Sequence, residues 1–133
     1  MYQSDWLLRQ IEQMGDVLRR LMDALREHRP EDAIKLSREA VQQLLDADPN
    51  LIDALTGDGL VTLLSAGGAL DTYRAHILGE LLLARAEAHA MAGQASSAVA
   101  ERDRARHLLT AVLPLAEGEE AARITELLGW LED

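Results

Sequence analysis

The stretch from Tyr73 to Gly93, Y-R-A-H-I-L-G-E-L-L-L-A-R-A-E-A-H-A-M-A-G, constrains the fold of this chain more than any other. Ile77, Leu78, Leu81, Leu82, Leu83, Ala84, Ala88 and Met91 spread around more than one face of a helix. A helix that is apolar on most sides is buried on most sides. The stretch therefore predicts a central helix, about 71–92, with the other helices packed around it. Asp71 suits its N-cap and Gly93 its end. A second arm follows, S-S-A-V-A-E-R-D-R-A-R-H-L-L-T-A-V-L, closed by Pro114. Together they predict an antiparallel hairpin over 71–114.

The flanking segments read as helices too. Ser4 is a good N-cap with Asp5 beside it, and Leu7, Ile11, Met14, Leu18, Leu21 and Leu25 recur at spacings of 4, 3, 4, 3 and 4. That is one apolar stripe, widened by Val17 and Met22, with Trp6 at its head. It suits a core-facing helix better than a coiled-coil seam, which needs more heptads. His28-Arg29-Pro30 ends it. A second helix, Glu31 to Ala47, points Ala33, Ile34, Leu36, Ala40, Val41, Leu44 and Leu45 inward, and Asp48-Pro49-Asn50 stops it. Residues 48–70 form a connector holding one short helix, Gly59 to Ala66, capped by Asp58. A last helix, about Glu117 to Leu131, covers the stack with Ile124, Leu127, Leu128 and Leu131. The expectation is a single all-α domain over 1–133 with five to six helices: a first pair over 4–47, the connector, the central hairpin, and a capping helix over 115–133.

Composition narrows function by exclusion. The absence of Cys removes disulfides, Cys-ligated zinc and thiol chemistry. The formal charge is −10 and Lys35 is the only lysine, which argues against nucleic acid or an anionic membrane as a partner. The first residues do not read as a secretion signal and no apolar run is long enough to cross a bilayer, so a cytoplasmic location is expected. His28, His76, His89 and His107 never fall at i, i+3 or i, i+4. Across the hairpin, His89 and His107 are offset by roughly 15 Å along the axis. No metal site and no cofactor are expected. The G-D-G piece at 57–59 lacks the context of a phosphate loop, and no serine has that of a nucleophile elbow.

Glu80 is the carboxylate that stands out, inside L-G-E-L-L-L with His76 one turn before it. Counted from the turn, it lies opposite Arg106 and His107. It is either a tuned acid or base or half of a cross-hairpin ion pair, and the pair is the expectation because buried acids are normally partnered. The alternating run Glu101 to His107 reads as a solvated, salt-bridged face.

The hairpin resembles a tetratricopeptide-type helix pair. Ala86, Ala98 and Ala105 fall at that motif's small-residue positions, spaced 12 and 7 apart, with Gly93 at the turn. Leu21, Ala33 and Ala40 repeat the spacing, although Leu21 is not small and His28 stands where Gly is usual. The segments S-D-W-L-L-R-Q-I-E, A-I-K-L-S-R-E-A-V and E-L-L-L-A-R-A-E are similar to those of a family of small uncharacterised bacterial proteins. That resemblance implies a TPR-like helical fold and carries no catalytic residues. The resulting expectation is a non-enzymatic interaction module that takes a partner helix or peptide in a groove, or forms a homodimer. Trp6, Ile11, Glu80 and Trp130 are the candidate contact residues. The alternative is a small helical enzyme or small-molecule binder built on Glu80, His76 and Arg106 or His107.

Overall fold

The computed structural model describes residues 15–132, and they form an all-helical fold. The first helix, α1, is described over residues 15–26. It is followed by α2 (Pro30–Leu45), α3 (Pro49–Ala54), α4 (Gly57–Leu63), α5 (Thr72–Met91), α6 (Ala95–Val112), a 3-10 turn (Leu113–Leu115) and α7 (Gly118–Leu131). The described residues thus hold seven α-helices, more than the five to six expected. The difference lies in the connector, which contains two short helices. Asp48 and Pro49 do not merely stop α2. The Asp48 side chain accepts a hydrogen bond from the Asn50 amide, and Pro49 occupies the first turn of α3. The cap of α4 is Thr56, whose hydroxyl accepts from Gly59, so α4 starts two residues before the expected Gly59.

Helix α5 is the centre. It packs along α6 and against α2, while α4 and α7 lie on α6. Asp71 caps α5 through the Arg74 amide. Ala75, Leu78, Leu81, Leu82, Ala86 and Ala88 of α5 are buried, together with Leu108, Leu109 and Val112 of α6 and Ile124 and Leu127 of α7. Helices α5 and α6 approach closely at Gly79, where an added Cβ would sit 2.9 Å from a Leu109 methyl. Helix α1 contributes Val17, Leu21, Ala24 and Leu25 to the core. Leu18 is only half-buried and Met22 is exposed, so part of the predicted stripe faces away from the core. Met91, expected inward, is exposed as well.

The two hairpins share a turn geometry. After α5, Gly93 adopts φ 76°, with its amide bonded to the Ala90 carbonyl and the Gln94 amide to the His89 carbonyl. After α1, His28 adopts φ 54°, with its amide on Leu25 and the Arg29 amide on Ala24. The small residues Ala33, Ala40, Ala86, Ala98 and Ala105 are all buried, as is Leu21.

A buried polar network fastens the connector to the hairpin. Arg85 Nη1 is 2.9 Å from Asp53 Oδ1 of α3, and Arg85 Nε donates to Ser37 Oγ of α2 at 2.9 Å. Arg104 pairs with Glu101 at 3.0 Å and donates to the Ile52 carbonyl. Arg38 completes it, 3.0 Å from the second Asp53 oxygen.

Candidate functional site

Three helices leave a groove between them. It encloses about 740 Å3 and is lined by Leu18 and Met22 of α1, by Leu83, Ala84, Glu80 and Glu87 of α5, and by Leu127, Trp130, Leu131 and Arg123 of α7, with Arg102 of α6 on its rim. The physical origin is the second apolar stripe on α1. Leu18 and Met22 are one turn apart and lie beside the stripe that enters the core, so α1 has one apolar face for the core and one for the groove. On α7, Ile124 and Leu127 turn inward, which leaves Trp130 at the edge. Met22 is 48% exposed and Trp130 59% exposed. Two large side chains are thus left open around one concave surface.

The α7 wall is held to α5 by a chain of charged groups. His76 Nδ1 lies 3.1 Å from Glu120 Oε2, and Nε2 lies 2.7 Å from Glu80 Oε2. The second contact is close but poorly aligned, so charge attraction carries it more than a directed hydrogen bond. Arg123 Nη2 donates to Glu80 Oε1 at 2.8 Å. Its guanidinium lies 5.6 Å from the centre of the Trp130 ring, within cation–π range. Glu80 against the imidazole, helped by Glu120, raises the His76 pKa above its ordinary value in spite of burial. Burial pushes the Glu80 carboxyl up, but His76 and Arg123 outweigh it and the net direction is down. The ionised form of Glu80 is therefore favoured, shared between the His76 imidazole and the Arg123 guanidinium. That is the chemistry of a structural clamp, not of an acid or base poised to move a proton at neutral pH.

Glu80 does not pair with Arg106 or His107. Arg106 bonds Asp103 and donates to the Leu131 carbonyl at the end of α7, at 2.9 Å. His107 accompanies the Asp103 carbonyl and packs against Gly57 of α4. Counting residues from the turn fixes axial height but not rotation about each axis, and α7 rather than α6 covers the Glu80 face. Of the proposed catalytic set, only Glu80 lines the groove, and His76 stands behind it. Trp130 lines the groove with Glu80; Trp6 and Ile11 lie outside the described residues. Besides Leu18 and Met22, the lining residues not anticipated are Leu83, Ala84, Glu87, Arg102, Arg123, Leu127 and Leu131. For Leu18 and Met22 a signal was present, since an apolar face wider than one stripe on α1 exceeds what a single core contact uses.

Among the described residues, no group of His, Asp and Glu side chains is arranged to hold a metal ion, and no helix is long and apolar enough to cross a membrane. Comparison with protein-family models, with curated proteins and with solved structures gave no match to this chain.

Proposed function

We propose that this chain is a cytoplasmic, non-enzymatic interaction module with TPR-like hairpins, and that its groove receives an amphipathic helix of a partner protein. The observation that carries the reading is the open groove with Met22 and Trp130 standing half-exposed at its edges. The repeated left-handed turn and the buried alanines at matching spacings support the TPR-like part. The rim indicates the chemistry of the occupant. Arg123 is committed to Glu80, whereas Arg102 and Glu87 have no ionic partner among the described residues. A fitting helix has apolar residues at i, i+3 or i+4, and i+7, with an acid reaching Arg102 and a base reaching Glu87.

The test is to pan a library of amphipathic helical peptides against the protein. The enriched peptides are then measured by fluorescence anisotropy against wild type, Met22→Glu, Trp130→Glu and Arg102→Glu. Both apolar-to-acid variants are expected to lose about tenfold or more in affinity, the equivalent of 1.4 kcal/mol. Arg102→Glu is expected to lose most for peptides with an acid at the matching position. Peptides bound equally by all four proteins would overturn the reading. A dimer in light scattering that Trp130→Glu abolishes would replace the partner protein by a second copy of the chain.

A further inference from the structure

The groove has one wall that is attached differently from the rest. Helix α7 inserts Ile124 and Leu127 into the core, and its last turn is tied by Arg106 to the Leu131 carbonyl. Its first turn has no side-chain N-cap, and it starts at Gly118 with φ 58°. Glu120 sits in that first turn and reaches His76 on α5. One helical turn further on, Arg123 reaches Glu80. The sequence of charges Glu120, His76, Glu80, Arg123 alternates in sign only when the imidazole is protonated.

We propose that His76 is a proton-operated latch for α7. In the protonated state Nδ1 donates to Glu120 and the positive ring faces Glu80 through Nε2, and the first half of α7 is clamped to the central helix. In the neutral state the ring has a single N–H. One of the two carboxylates then faces a nitrogen lone pair across about 3 Å, the distances being 3.1 Å to Glu120 and 2.7 Å to Glu80. Glu80 keeps Arg123 as a partner, so the contact that gives way is Glu120, and the first turn of α7 is released. The groups acting on the imidazole are Glu80 from its own helix and Glu120 from α7, with Arg123 from α7 acting through Glu80.

The sign follows from linkage. The contacts favour the charged imidazole, so their stabilisation is complete below the ordinary value of 6.5 and is lost as pH rises through the higher folded value. The latch is thus closed in mildly acidic solution and opens as pH rises above the ordinary imidazole value. Because Arg123, Leu127, Trp130 and Leu131 of α7 form one wall, the groove is firm when the latch is closed and looser when it is open. This consequence for binding rests on the docking function proposed above; the latch itself does not.

The experiment uses the whole chain without any peptide. Hydrogen exchange of α7 amides is followed from pH 5.5 to 8.5 and corrected for the intrinsic rate, and the His76 imidazole is titrated by NMR. Protection of the amides of Ala122 to Thr125, which bond the carbonyls of the first turn of α7, is expected to fall on the order of tenfold with the same midpoint as His76, the scale of one charge-assisted hydrogen bond. His76→Gln is expected to remove the pH dependence. Glu120→Gln, at a half-exposed position, serves as the second variant and is expected to lower the His76 midpoint. Protection that is flat across this range in wild type, or a pH dependence that survives in both variants, would overturn the latch. Either result leaves the peptide measurements untouched, so failure of the latch and failure of the docking function are told apart.

Discussion

Replacing His28 by Gly is expected to stabilise this protein, although it removes a whole side chain. His28 occupies the residue after α1 in the left-handed region, at φ 54°. Its amide bonds Leu25 at 3.1 Å and the next amide bonds Ala24 at 2.8 Å. The same pair of bonds, at the same two lengths, closes α5 around Gly93. The turn therefore demands a left-handed residue, and an L side chain pays about 1–2 kcal/mol for that conformation. The His28 side chain is exposed and makes no hydrogen bond or ion pair among the described residues. Glycine returns about 0.4–1 kcal/mol through the larger freedom of its unfolded chain. The balance is a gain of about 0.5–1 kcal/mol, read as a higher urea midpoint with unchanged slope and a melting temperature raised by about 2–4 °C. The reverse substitution, Gly93→His, is expected to lose a similar amount. A neutral or destabilising His28→Gly alongside a costly Gly93→His would refute the equivalence of the two turns.

Three further outcomes follow from the packing and the charges. Gly79→Ala should lower thermal stability by about 1 kcal/mol, because the new methyl meets fully buried Leu109 at 2.9 Å and the overpacking outweighs alanine's helix preference. Arg85→Met should cost less than Glu101→Leu in denaturant unfolding. The first leaves Asp53 with Arg38 and Glu101 with Arg104, whereas the second strands buried Arg104 and costs about 3 kcal/mol. On the acid side, Glu80 has a lowered folded pKa, so its contribution is complete above the ordinary value of 4.5 and is lost as pH falls through the folded value. Thermal melts of Glu80→Gln should therefore show a shallower loss of stability below pH 4.5 than wild type.

The central hairpin was legible because each of its limits carries its own chemistry. Asp71 caps, Gly93 turns left-handed, and the apolar residues between them exceed what one face needs. The connector was less legible because Asp48-Pro49 is both a stop for one helix and a start for the next, and spacing alone does not distinguish the two. Glu80 was singled out correctly as a carboxylate in apolar surroundings that requires a partner. Its partners were not legible, because Arg123 lies 43 residues away on a helix whose angle to α5 is set by tertiary packing. The same holds for the groove. Met22 widens the α1 stripe beyond one core contact and Trp130 was a candidate contact residue, but that the two face one groove depends on the direction in which Ile124 and Leu127 of α7 enter the core. Ser37 reads as a polar residue on α2, yet it is fully buried because it serves Arg85 from a neighbouring helix.

The network around Arg85 also bears on how the chain can be divided. Its links run from α5 and α6 back to Asp53, Ser37 and the Ile52 carbonyl, all of which precede the exposed Gly67-Gly68 turn. A cut at that turn severs one peptide bond but none of these contacts. Each fragment then carries part of a polar arrangement that the other completes: the Arg85 and Arg104 guanidiniums on one side, the Asp53 carboxylate, the Ser37 hydroxyl and the Ile52 carbonyl on the other. Two such pieces, co-expressed, have reason to reassemble with each other rather than with themselves, which makes the molecule a natural scaffold for fragment complementation.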